Sequence, residues 1–171
     1  MPNRMDTLLS TGMGKVKAVK ARLRGLVGVF KTLTEQHGEV AALLERAKTS
    51  DEKFTELWPF IKKELVSHEK AEVRELYPYL RIYPETRALA DHHDAEASQL
   101  EWLIGRIDEL PIGSQERKDR YAELVETVLH HASEEESEIF PKAQDCMGKE
   151  LARQVDAKFL ATKKAIADQV F

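Results

Sequence analysis

The chain has 171 residues, of which 42% are apolar and 33% charged, a balance that supports one domain with a sizeable core and excludes global disorder. Its net charge of −4 excludes little about partners. The apolar runs are short, the longest near the start being Leu26 to Phe30, far below the roughly 20 residues of a membrane span.

The start of the chain lacks the charged-then-apolar layout of a secretory signal. Cys146 is the single cysteine, so no internal disulfide forms, and a reducing cytoplasm is the expected location. Residues 1–31 carry Arg4, Lys15, Lys17, Lys20, Arg22, Arg24 and Lys31 against Asp6, a local charge of +6 that leaves −10 for the remainder. A basic, apolar-striped segment suits nucleic acid or an anionic membrane. A solvated helix face is the simpler reading, and no nucleic-acid partner and no membrane span are expected.

In chain order, residues 1–14 read as an N-terminal arm and residues 15–171 as one helical unit. The first helix is predicted over about 15–47, on the stripe Val16, Val19, Leu23, Leu26, Phe30, Leu33, Val40 and Leu44, stepped by threes and fours. Thr49, Ser50 and Asp51 offer capping oxygens for a second helix of about 52–80. Pro59 is expected to kink that helix or to reset its start. Pro84 opens a third helix of about 85–109, closed by Pro111 and Gly113. Ser114 caps a fourth of about 115–144, and Gly148 separates a fifth of about 149–169. No strand-like alternation is present. The expected fold is therefore all-α: an antiparallel up-down-up-down four-helix bundle, because short connections make neighbours antiparallel, with an additional C-terminal helix.

The histidines fall in four places, one on each bundle helix: His37; His68; His92 and His93; His130 and His131. Two of these places open a repeated phrase, HEKAEVRELYP from His68 and HASEEESEIFP from His131. Both copies carry His, then Glu four residues on (Glu72, Glu135) and again at seven (Glu75, Glu138). Leu or Ile, an aromatic ring and a proline (Pro78, Pro141) follow in each.

One His–Glu pair at this spacing is an ordinary same-face helix pair; two matched copies on two helices are not. His37 lies on the line of Phe30, Leu33, Val40 and Leu44, His68 follows Ile61 and Leu65, and His131 follows Leu124 and Val128. His93 shares its line with Leu89, Leu100 and Ile104, whereas His92 lines up with Glu85, Glu96 and Gln99 and His130 with Glu123, Glu126 and Glu134. His93 and His131 are accordingly preferred within their doublets, although His92 and Glu96 repeat the four-residue spacing. Carboxylates in an apolar core cost several kcal/mol unless paired or bound to metal, and a cation pair answers that cost.

These residues resemble the hemerythrin-like family, the HHE cation-binding domain. The resemblance covers roughly residues 30–145, through a histidine on helix 1, HxxxE on helix 2, a histidine on helix 3 and HxxxE on helix 4, with the endings Tyr77-Pro78 and Phe140-Pro141. It implies two non-haem irons, His37 and His68 holding one, His93 and His131 the other, with Glu72 and Glu135 between. Zinc or manganese are chemical substitutes. Oxygen-carrying hemerythrins have a further histidine four residues after the one on helix 3, where this chain has Ala97 (or Glu96, counted from His92). They end on an aspartate five residues past its histidine, where this chain has Glu135 at four.

Six protein ligands leave open positions for dioxygen or peroxide, which admits oxygen binding or a catalase- or peroxidase-like activity. Glu69, Glu75, Glu134, His92 and Tyr77 are candidates to complete or tune the shell. The alternative is an iron- or oxygen-sensing protein without turnover. Ferritin-like Glu-x-x-His pairs, phosphate-binding glycine loops and nucleophilic triads are absent from the sequence.

Overall fold

The structure is a computed structural model and describes residues 2–170, the side chains of Leu23 and Val170 excepted. It is helical, with no strand among the described residues. The helices are α1 (Arg4–Leu23), α2 (Val29–Ala47), α3 (Asp51–Glu75), α4 (Tyr77–Leu80), α5 (Pro84–Glu109), α6 (Gln115–Glu134), α7 (Phe140–Met147) and α8 (Lys149–Val170), with a π-helical turn at Glu135–Ile139.

Four of them close the bundle: α2 packs on α3 and α6, and α5 packs on the same two. Paired contacts fix their directions. Tyr121 Oη of α6 donates to the Leu44 carbonyl of α2, while further along α6 and further back along α2, His131 and Glu135 come level with His37. Trp58 of α3 donates to Asp108 of α5, and at the other end Glu69 meets His93. Neighbours therefore run antiparallel. The last helix, α8, lies against α2 and α3.

Two differences from the sequence reading concern the start of the chain. Residues 4–14, read as an arm, are helical from Arg4, because the Asn3 side chain accepts from the Met5 and Asp6 amides and caps the first turn. The predicted helix over 15–47 is two helices, parted at residues 24–28. Gly25 and Gly28 hold φ at 76° and 54°, a region closed to most side chains, and Gly28 sits against the Ala152 backbone where a Cβ would collide. As a result α1 folds back along α2, and Val16 and Val19 point outward rather than into the core.

Further along, α3 carries Pro59 in its interior without ending there. The predicted helices over 52–80 and 115–144 are each interrupted just before a proline. Leu76 separates α3 from α4 ahead of Pro78, and the π turn precedes Pro141. Proline lacks an N–H and crowds the carbonyl four residues back, so the two repeated phrases end in the same kind of helix break.

The core is in two halves. One gathers Leu44, Leu57, Ile61, Leu103, Ile107 and Leu124 towards the α2–α3 connection. The other gathers Phe30, Leu33, Leu76, Tyr77, Phe140 and Phe159 at the opposite end. The layer between them is polar.

α1 is seated on α2 by glycines. A Cβ on Gly38 would stand 2.7 Å from the Met13 carbonyl oxygen and 3.1 Å from Gly14 Cα. Gly38→Ala gains about 1 kcal/mol of helix propensity but is expected to lose about 1–3 kcal/mol net through overpacking against backbone. Urea unfolding reads this as a lower midpoint; a midpoint equal to or above the wild type contradicts it.

Candidate metal centre

Each bundle helix delivers ionisable groups to the polar layer. From α2 comes His37; from α3, His68, Glu69 and Glu72; from α5, His93; from α6 and the π turn, His131 and Glu135. The six residues expected as ligands from sequence, His37, His68, Glu72, His93, His131 and Glu135, meet here. His93 is 1% exposed and its neighbour His92 has a 67% exposed side chain, so the doublet is divided as its phase suggests. His130 is likewise outward, beside Glu134.

The rings form two pairs. His37 and His68 have centroids 5.2 Å apart, and His93 and His131 4.7 Å. Glu135 spans from one pair to the other: its Oε2 is 3.2 Å from His37 Nε2 and its Oε1 3.3 Å from His131 Nε2. On the other side, Glu72 Oε2 is 3.1 Å from His68 Nε2. One ligand atom each from Glu69, Glu72, His93 and His131 fall within 4.8 Å of one another.

Glu69, expected from sequence only as a candidate to complete or tune the shell, stands in the layer itself. It follows His68 by one position, so α3 turns His68 towards α2 and Glu69 towards α5, where Glu69 Oε1 lies 3.1 Å from His93 Nε2. A glutamate three before Glu72 on the same helix face was the available signal. Glu75 is drawn away by Thr162 of α8, and Glu134 groups with His92 and Glu96 nearer the surface. Tyr77 reaches the centre, its Oη donating to Glu135 at 2.7 Å.

On three of the four rings the nitrogen facing away is held. His37 Nδ1 pairs with Glu136 at 3.0 Å, His131 Nδ1 with Glu96 at 2.8 Å and His68 Nδ1 with Gln36 Oε1 at 3.0 Å. That Gln36 oxygen also accepts from Lys163 of α8, which fixes it as oxygen and makes His68 Nδ1 the donor. The Nε2 of each of these rings is thereby aimed into the centre. This is the outer-shell pattern that orients metal-binding histidines.

Inside the centre, His37 Nε2, Glu69 Oε1, both Glu72 carboxylate oxygens, both His93 nitrogens, His131 Nε2 and Glu135 Oε2 are buried without a hydrogen bond. Buried polar atoms are nearly always satisfied, and so many orphans converging on one point fit a cation.

The charge states follow from crowding. Burial pushes the Glu72 carboxyl well above the usual range, helped by Glu135 and Glu69, and burial brings Glu69 up to about 7. Burial also works to raise Glu135, but His131 and His37 outweigh it and hold that carboxyl well below the usual range. Burial works to lower His131, and Glu135 and Glu96 reverse this and raise it well above the ordinary imidazole value. Burial takes His93 down to about 4 and, with His37 and Lys163, takes His68 well down.

Metal ligands bind deprotonated. Glu72, Glu69 and His131 all hold protons more tightly in the metal-free chain than free side chains do, so metal uptake competes with protons, and affinity should rise as pH climbs from 6 to 8. Glu69 adds to this: with a folded value of about 7 against 4.5, it costs the metal-free fold stability as pH rises through that interval. Calorimetric titration of ferrous or zinc ion in buffers of differing ionisation heat should report proton release; affinity independent of pH contradicts it. Gln36→Leu removes the acceptor that orients His68 and should weaken metal binding about 10–100-fold, read by chelator competition; unchanged affinity would make the contact incidental.

The chain matches the hemerythrin family, described as the hemerythrin HHE cation binding domain, over residues 28–143. It is also similar to a DNA nickase of Nostoc sp. (strain PCC 7120 / SAG 25.82 / UTEX 2576), 29% identical over 139 residues. That similarity covers 78% of this chain and 38% of the relative, so the chain spans well under half of the nickase. With such a relative, the expectation that nucleic acid is no partner loses its support. No solved structure matches the chain significantly. The matched stretch contains every residue of the polar layer, and the chain belongs to the hemerythrin HHE cation-binding domain family.

Proposed function

We propose that the chain holds a pair of non-haem irons and uses it to bind dioxygen or to react with peroxide. The observation that carries this reading is the facing of two histidine pairs across the buried carboxylates Glu72 and Glu135. His37 and His68 then hold one iron, His93 and His131 the other, with Glu72 and Glu135 between. Glu69 adds a carboxylate on the His93–His131 side. Imidazole and carboxylate suit iron, and also zinc and manganese. An iron pair, when bound, supplies redox chemistry and open positions for a small oxidant.

The chain's own groups set the conditions. A cavity of about 40 Å³ adjoins the His37, His68 and His131 rings, walled by Val40, Leu65, Leu100 and Val128. It has room for a molecule of one or a few atoms. Phe140 stacks on His37 and Phe159 stands edge-on to His68, excluding water from the far side. Burial, together with the Glu135 charge, raises the Tyr77 phenol well above its ordinary value. It therefore keeps its proton and holds it at Glu135 Oε1.

Iron loaded without oxygen and then exposed to oxygen or peroxide tests this. Ferric near-ultraviolet absorption should grow, or peroxide should be consumed, and His93→Ala should abolish either response. An iron-loaded wild type inert to both oxidants overturns the reading. The same preparation incubated with supercoiled plasmid covers the activity named for the Nostoc relative. Metal-dependent nicking lost in His93→Ala, without an oxidant response, would replace oxidant chemistry with strand cleavage.

A further inference from the structure

α1 presents the wrong face to the bundle for a helix that merely completes a core. Its inward side is small and polar: Asp6, Ser10, Gly14, Ala18 and Ala21. Its outward side is apolar along its length: Met5, Leu8, Leu9, Met13, Val16 and Val19, each between 45% and 64% exposed. These positions step by threes and fours, so they form one stripe. Single exposed apolar residues are ordinary; a continuous stripe on one helix marks an interaction surface.

The charges are arranged around that stripe. Arg4, Lys15 and Arg22 follow one edge, Lys20 the other, and Arg24 closes the end; all are exposed. None of these five has an ion pair among the described residues, and Lys17, on the inward flank, turns to Glu136. Asp6 is the helix's acid, and it points inward to Arg46 and Lys53. The outward face thus combines Met, Leu and Val with basic residues and no carboxylate.

We propose that this face of α1 binds an anionic lipid bilayer, the helix lying along the interface with its apolar stripe among the acyl chains and its basic edges at the headgroups. Interfacial helices have this composition, and long basic side chains reach from an apolar surface to the polar layer above it. No described helix is long and apolar enough to cross a membrane, and none is needed. A second copy of this face would bring two basic fringes together with no acid to pair them. A nucleic acid would meet methionine, leucine and valine where it needs charge. The proposal stands apart from the metal centre, whose layer lies on the other side of α2.

Flotation of the full chain with vesicles of phosphatidylglycerol and phosphatidylcholine, and of phosphatidylcholine alone, tests it. The protein should float with the anionic vesicles, less so as salt rises, and stay behind with the neutral ones. Leu8→Gln with Val16→Gln should abolish flotation while leaving far-ultraviolet circular dichroism and thermal unfolding at wild-type values, since both side chains are already in solvent. Lys15→Gln with Arg22→Gln should weaken partitioning roughly thirtyfold, about fivefold per charge. Failure of the wild type to float overturns the proposal, as does flotation unchanged in the apolar variant. So does a wild-type dimer that Leu8→Gln with Val16→Gln splits, or duplex DNA binding without flotation.

Discussion

Burial of an imidazole and carboxylate layer across the middle of an otherwise apolar bundle is the constraint on which the rest of this structure depends. A buried charge without a partner costs several kcal/mol, and here four helices each bring such groups to one depth. The layer answers part of that cost internally. His131 and His37 favour the ionised form of Glu135, and burial favours the protonated form of Glu72 and the neutral forms of His68 and His93. What remains is a set of buried donor atoms with no hydrogen bond. A metal-free chain can tolerate this arrangement; cations on the same atoms resolve it.

The backbone is shaped around that layer. Both HxxxE segments run into a helix break set by a proline, at Leu76 before Pro78 and at the π turn before Pro141. The π turn widens the helix at Glu135 itself, and such turns recur at functional sites because they re-aim side chains without unfolding the helix. The break before Pro78 lets Tyr77 swing onto Glu135. The aromatic-proline endings of the repeat thus place one ring under each half of the layer: Tyr77 against His93 and Phe140 against His37.

Much of this is legible in the sequence because both signals involved are local. Helical phase places His37, His68, His93 and His131 on core stripes, and the same phase divides the doublets, since neighbours on a helix point about 100° apart. Glu69 was harder, because its role depends on which helix lies beside α3, a tertiary fact. Gln36, Glu96, Glu136 and Lys163 are harder again. Gln36, Glu96 and Glu136 act by touching the far nitrogens of histidines on other helices, Lys163 of α8 acts one step further out through Gln36, and ordinary polar residues on helix faces look the same.

α1 misled the phase argument for a different reason. Its apolar stripe continues the line of α2 in sequence, but Gly25 and Gly28 reverse the chain between them, so continuity of pattern does not give continuity of face. Gly14 and Gly38, each a weak helix former, allow the close seating that leaves the stripe outside.

Anomalous scattering at the iron edge from crystals of the iron-loaded protein tests the central claim most directly. Two peaks are expected, one between His37 and His68 and one between His93 and His131. Iron found instead at the outer group of His92, Glu96 and Glu134, with none in the polar layer, would contradict it.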